Sequence, residues 1–140
     1  MTRPVPPHLS AAELASEASE LIRSAGLATR DGGRPGLLHP ADAAEAVGAL
    51  AGLTAHLPEL LDQLASFLSS EQAAGRIGPG TAVADSGFDA VRAARDAREQ
   101  LYEAGRTAAL LSATVSAAAA VLAPLGAARA SGGPAASPHV

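Results

Sequence analysis

The sequence contains no cysteine and no lysine, and the aromatic side chains of its 140 residues are limited to two phenylalanines and one tyrosine. Without cysteine the chain forms neither disulfide bonds nor thiolate metal sites, which fits a reducing compartment. The opening MTRPVPPHLS has an arginine but lacks the apolar run of a secretory signal peptide. We therefore expect a cytoplasmic protein.

A basic surface is missing as well. The formal net charge is −4, and positive and negative side chains are interleaved along the chain. Recognition of DNA or RNA typically requires clustered positive charge, so we expect no nucleic acid among the partners. Arg92, Arg95 and Arg98 alternate with Asp96 and Glu99 at the spacing of surface ion pairs, which predicts a solvated helix face.

Recognisable catalytic and cofactor motifs are also lacking. The run GRIGPG has neither the spacing nor the lysine of a phosphate-binding loop. His56, Glu59 and Asp62 share the polar side of a predicted helix, without the second ligand set that metal centres in helical bundles require. No Ser, His and Asp constellation can be placed from the sequence. We expect no catalytic residue, no cofactor and no metal, and therefore a non-enzymatic protein.

What the sequence has in abundance is alanine, at 36 residues, together with ten arginines. This composition is typical of GC-rich bacterial genomes, so we expect a bacterial source. Alanine favours the helix more than any other residue, but it offers little apolar surface to bury. The chain should therefore form helices readily, while its thin core needs the surface of a second molecule.

Two segments rich in glycine and proline, ATRDGGRPGLLHP and GRIGPGTAVADSG, divide the chain into three predicted helices. We predict an all-α fold, an antiparallel bundle over residues 9–125 with three helices, or with four if Pro58 divides the second helix. A disordered N-terminal arm is predicted for residues 1–8 and a disordered C-terminal tail for residues 126–140.

The first predicted helix has a specific start signal. Ser10 and Glu13 have the spacing of a capping box, in which each side chain bonds the other residue's backbone N–H. Gly26 is a residue of the kind that closes helices, because glycine adopts the left-handed conformation without strain. We expect this helix to begin at Ser10 and end at Gly26.

The second predicted helix starts near Ala41, since Pro40 suits the first helical position, and ends at Gly75. Pro58 lies inside it and lacks the amide that would bond the carbonyl of Thr54. The apolar spacing keeps its phase through this proline, so a kinked continuous helix is favoured over two separate helices.

Leucine and other apolar residues recur along the second helix at alternating spacings of three and four, as in a coiled coil. The third predicted helix runs from about Phe88, after a start signal at Ser86, to Ala123 and has an alanine-rich stripe with the same spacing. A leucine band on one helix can pack on a shallow alanine band on the other. The residues predicted to form these packing and interaction faces are Leu50, Leu53, Leu57, Leu60, Leu61, Leu64, Phe67, Leu68, Leu101, Ala104, Ala108, Leu111 and Val115.

These patterns predict a scaffold, adaptor or regulatory partner that self-associates through its leucine and alanine faces as a homodimer or binds another helical protein. Two alternatives stay open. One is a ligand-binding bundle with an apolar pocket near Pro58. The other is a membrane-associated protein that uses the charge-free residues 107–128, although alanine is nearly neutral for insertion and no aromatic belt flanks them.

Overall fold

A computed structural model describes residues 9–30, 36–78 and 89–131 of the chain. These residues form three helices and no strand: α1 (Ala11–Arg30), α2 (Pro40–Ala73) and α3 (Ala90–Ser131). The predicted all-α fold with three long helices is confirmed. The predicted arm at residues 1–8 and the end of the predicted tail at 132–140 lie outside the described residues.

The start of α1 is the predicted capping box. The backbone N–H of Ser10 donates to Oε2 of Glu13 at 2.7 Å, and the backbone N–H of Glu13 donates to Oγ of Ser10 at 3.2 Å. The hydrogen bond from the Ser10 backbone, followed by that from its hydroxyl, lowers the pKa of Glu13. The predicted end at Gly26 is wrong, because α1 continues to Arg30. A single glycine inside a helix costs only about 1 kcal/mol relative to alanine, which good helix formers on both sides can offset.

The start of α2 at Pro40 lies one residue before the predicted position. Oδ2 of Asp42 accepts the backbone N–H groups of Leu38 at 2.9 Å and His39 at 2.8 Å, next to the positive end of the helix dipole. The helix is continuous through Pro58 to Ala73, as favoured from the sequence.

A glycine in the left-handed conformation follows the last turn of α2. Gly75 has φ +73°, its N–H bonds the carbonyl of Gln72 at 3.1 Å, and the N–H of Arg76 bonds the carbonyl of Glu71 at 3.0 Å. This is the Schellman arrangement. Nε and Nη2 of Arg76 each lie 2.6 Å from a carboxylate oxygen of Glu71. The hydrogen bond from Arg76 lowers the pKa of Glu71, and the same bond raises the pKa of Arg76.

The cap of α3 is Asp89, whose Oδ1 accepts the N–H groups of Val91 and Arg92 at 3.1 Å each. The start signal predicted at Ser86 lies outside the described residues. The predicted end of the third helix at Ala123 is wrong, because α3 passes through Pro124 to Ser131 and occupies the beginning of the predicted tail. Pro124 is exposed, so water can satisfy the carbonyl that lacks its amide partner there.

Helices α2 and α3 form an antiparallel hairpin. Near the connecting end, Nη1 of Arg98 donates to Oε1 of Gln72 at 3.2 Å. In the middle, a Cβ added at Gly105 would lie 3.9 Å from the carbonyl oxygen of Pro58, and near the open end Gly126 is similarly close to Ala44. Among the described residues all contacts between helices are those of α2 with α3, and no residue of α1 is buried.

Candidate interaction surface

The buried positions of the contact between α2 and α3 are small side chains, and we call this contact the alanine seam. Its most buried residue is Ala65, which is 0% exposed. No large side chain is fully buried in the described part of the chain. Small residues at a contact allow helix axes to approach toward the lower end of the roughly 8–10 Å range. The buried residues are Ala41, Thr54, Ala65, Ala94 and Ala108.

On α2 the seam is displaced by one residue from part of the predicted packing face. Ala51 is half-buried and Ala65 is buried, whereas Leu50 and Leu64, which the sequence pattern placed in the packing face, are exposed. The displacement follows from close packing, because a small side chain lets the helices approach and a leucine at the same position would hold them apart. Four leucines of the predicted face on α2 are half-buried, and these are Leu53, Leu57, Leu61 and Leu68.

On α3 the predicted stripe agrees with the seam along the first half of the helix. Leu101 and Ala104 are half-buried and Ala108 is buried. Farther along, Val115 is half-buried, but Leu111 is exposed and the adjacent Ser112 is half-buried in its place.

A second row of large apolar side chains runs along α2 outside the seam, and we call it the leucine row. It consists of Leu50, Leu53, Leu57, Leu60, Leu64 and Phe67, with alternating spacings of three and four residues. Leu53 and Leu57 are half-buried at its edge. The other four are exposed, at 45% for Leu50, 41% for Leu60 and Leu64, and 59% for Phe67.

The flank of α3 beside the leucine row is also apolar. Successive helical residues are rotated by about 100°, which places Leu111 and Leu125 on the same side of the hairpin as the row. Both are exposed. The hairpin therefore has one broad apolar face, whereas Glu59 and Asp62 lie on the opposite side of α2 and are exposed as predicted.

Charge is segregated along the hairpin. Residues 46–58 of α2 and 107–127 of α3, which pair in the open half, include no Asp, Glu, Lys or Arg. Leu110 and Val121 of this half are 71% and 79% exposed. Helix α3 is long and apolar enough to cross a membrane by length and composition, with an 18-residue window of mean hydropathy 1.9 that is only 6% buried.

One polar contact inside the hairpin was missed by the sequence reasoning. Arg92 is exposed and lies 3.9 Å from Asp96, as expected of a solvated face. Arg98, assigned to that face, is instead half-buried, with its guanidinium bonded to Gln72. A signal existed, because Gln72 continues the spacing of Leu61, Ala65 and Leu68, and a polar residue at a seam position calls for a polar partner.

The apolar pocket expected near Pro58 takes the form of an open groove of about 480 Å³. Ligand sites usually enclose most of the surface of the molecule they bind, and this groove does not. Its rim includes Arg106, which is paired with Glu103; the hydrogen bond from Arg106 lowers the pKa of Glu103. The lining residues are Pro58, Asp62, Leu101, Tyr102, Gly105, Arg106 and Ala109.

Metal ligands do not converge in this part of the chain, since no group of three or more His, Asp or Glu in the described ranges could hold a metal ion. In comparisons with known proteins, the chain matches no protein family, no curated protein and no solved structure.

Proposed function

We propose that the protein is a non-enzymatic helical interaction module, which self-associates as a homodimer through the leucine row. The observation that carries this proposal is the exposure of the row. Four of its six large side chains are more than two-fifths exposed, while the buried positions of the contact with α3 are small residues. Contiguous exposed apolar surface of this kind typically marks an interaction site.

The spacing of the row fits a helical partner. Leucines that alternate at three and four residues form the seam of a coiled coil, in which each side chain inserts between four residues of the facing helix. From Leu50 to Phe67 the row is about 25 Å long at 1.5 Å per residue. A second copy presents the same row, so one two-fold axis can bury both rows in a closed dimer.

The energy balance favours a dimer that dissociates on dilution. Full burial of a leucine or phenylalanine contributes about 1.5–3 kcal/mol, and roughly half of that contribution is still available at each of the four exposed positions. Two copies together would then gain on the order of 6–12 kcal/mol, against an association cost of about 4–15 kcal/mol. The most favourable ends of the two ranges leave about 8 kcal/mol, which corresponds to a dissociation constant of about 1 μM. We therefore expect association at micromolar concentration or above rather than an obligate dimer.

The test is solution mass by light scattering across a dilution series of the full chain. We expect the mass to fall from that of a dimer toward 13.8 kDa on dilution through the micromolar range. The variant L60Q/L64Q should remain helical and monomeric throughout, because glutamine favours the helix about as well as leucine does. E59Q/D62Q, which changes the opposite side of α2, is the matched control. A chain that stays monomeric at every concentration would contradict the proposal.

A second candidate function is membrane association through residues 107–127. It is supported by the exposure of the charge-free half of α3, because the corresponding helix of a soluble core is usually buried. Sedimentation with neutral phosphatidylcholine vesicles tests it in the absence of detergent. Recovery of the full chain with the vesicles, and its loss in A118R/L122R, would favour the membrane over the dimer.

A further inference from the structure

Helix α1 is amphipathic and has no helical partner among the described residues. Leu14, Leu21 and Ile22 lie on one side of it, and all three are exposed. Glu17, Glu20 and Arg23 are exposed as well, and Glu20 pairs with Arg23 at 2.8 Å. Most of the stability of helices in proteins comes from tertiary packing of an apolar face rather than from helix propensity. The apolar side of α1 therefore requires another apolar surface to pack against.

The apolar side of α1 matches the leucine row in spacing and length. Leu14, Ala18, Leu21 and Ala25 step by four, three and four residues, the same alternation as in the row. They extend over about 17 Å at 1.5 Å per residue, so they fit within the roughly 25 Å of the row. The two alanines make α1 a less bulky occupant than the row of a second copy.

The position of α1 in the chain brings it within reach of the row. Nine residues separate Arg30 from Pro40, and a chain of nine residues spans at most about 30 Å. Leu50, where the row begins, lies about 15 Å along α2 from Pro40. Helix α1 can therefore turn back and run antiparallel to α2 along the row.

Tethering also decides which occupant prevails in dilute solution. A segment joined by a short linker has an effective concentration of the order of millimolar, and this is independent of protein concentration. A second copy has a larger contact area with the leucine row than α1 has, but the fraction of rows that it occupies falls on dilution. The tethered helix should hold the row at low concentration and give way to the second copy at high concentration.

We propose that α1 docks on the leucine row of its own chain and competes there with dimerisation. The structure then represents the open arrangement, in which α1 is apart and the row is available. Docking itself requires only one chain, whereas the competition rests on the proposed self-association. Helix α1 thereby acts as an intrachain cover that sets the concentration at which the protein dimerises.

The absence of cysteine allows a direct test in the full chain. A nitroxide attached at S19C, on the polar side of α1, should broaden the leucine methyl signals of the row at concentrations below dimerisation. In L14Q/L21Q/I22Q the broadening should disappear, and the dimer dissociation constant should fall at least about tenfold, because the competing occupant is gone. A12Q/S16Q, on the opposite side of α1, is the control and should change neither quantity.

Other outcomes of the nitroxide experiment would contradict the docking of α1 or the proposed self-association. Unbroadened row signals in dilute S19C protein would overturn the docking of α1. Broadening that appears only when labelled chains are mixed with unlabelled chains would place α1 on a second copy and also overturn the proposal. Broadening within one chain, with no dimer at any concentration, would support docking while contradicting the proposed self-association. Circular dichroism of each variant checks that α2 and α3 remain helical.

Discussion

Two surfaces of α2 are offset by one residue in the sequence and differ in the size of their side chains. Ala51, Pro58 and Ala65 face α3, whereas their neighbours Leu50, Leu57 and Leu64 belong to the leucine row. In each pair the smaller or more compact residue is in the seam and the leucine is on the flank. The intrachain contact therefore uses close approach of the backbones rather than bulk, and it leaves the bulky side chains to another occupant.

The same charge should destabilise the folded chain much more in the seam than in the leucine row. Ala65→Asp puts a carboxylate where the native side chain is 0% exposed, and a buried charge without a partner should destabilise the hairpin by about 3–5 kcal/mol. Leu64→Asp, one residue away, should cost less than about 1.5 kcal/mol, since the site is already open to water. Urea unfolding of both variants, measured below the concentration of dimerisation, gives the two values.

A further prediction follows for the oligomer from the same pair. Leu64→Asp should abolish the dimer although it leaves the hairpin folded, because the charge would be buried between two copies. Equal losses of folding stability in the two variants would mean that the seam and the row are not distinct surfaces.

A larger side chain should produce a smaller difference in stability between buried and exposed positions than a charged side chain does. Ala108→Leu adds bulk where α2 and α3 are in contact, and overpacking of this kind should cost about 1–3 kcal/mol. Ala113→Leu, on the exposed side of α3, is the matched control and should change the free energy of unfolding by less than about 0.5 kcal/mol. If Ala108→Leu leaves the stability measured by thermal unfolding unchanged, the seam has enough space for a leucine side chain.

The sequence alone predicted much of the fold, because helix starts and breakers are local signals. Ser10 with Glu13 and Gly75 form the expected caps, and α2 passes through Pro58 as favoured. The ends at Gly26 and Ala123 were wrong, since one glycine or proline lowers the stability of a helix without necessarily ending it.

The packing face was harder to predict, for a physical reason. Helix α2 has two sets of positions with alternating spacings of three and four. One set is almost entirely leucine, and the other is mixed and includes Ala51, Thr54 and Ala65. Periodicity alone does not decide which set packs on α3. Choosing between them requires the distance between helix axes, which depends on both helices together. The same limitation explains Arg98, whose burial follows from its position opposite Gln72.

Glycine substitutions separate the contribution of helix conformation from that of packing. Gly48 belongs to neither surface, and an added Cβ would meet nothing within 4 Å, so Gly48→Ala should stabilise the protein by about 0.5–1 kcal/mol. Gly75→Ala should instead destabilise it by about 1–2 kcal/mol, because Gly75 has φ +73°. Differential scanning calorimetry should show melting temperatures that move in opposite directions. A shift in the same direction for both would contradict the left-handed cap.

The smallest expected effect concerns pH. The buried seam residues Ala41, Thr54, Ala65, Ala94 and Ala108 have no ionisable side chain, so acid should act elsewhere, on the pair of Glu71 and Arg76. The pKa of Glu71 is lowered from 4.5 by the hydrogen bond from Arg76. Its stabilising contribution is therefore complete above the pKa of the unfolded chain and is lost as the pH falls through the lower folded value.

Carboxyl carbon shifts of Glu71, followed by NMR during acid titration, measure this effect directly. In the parent the midpoint should lie below 4.5, and Arg76→Gln should move it upward because the charged partner is removed. Arg92→Gln is the control, since its guanidinium pairs with Asp96 and not with Glu71. Amide signals of the seam should stay unchanged over the range in which Glu71 titrates. Loss of those signals together with the titration would show that the seam depends on charge, whereas the packing of small side chains predicts that it does not.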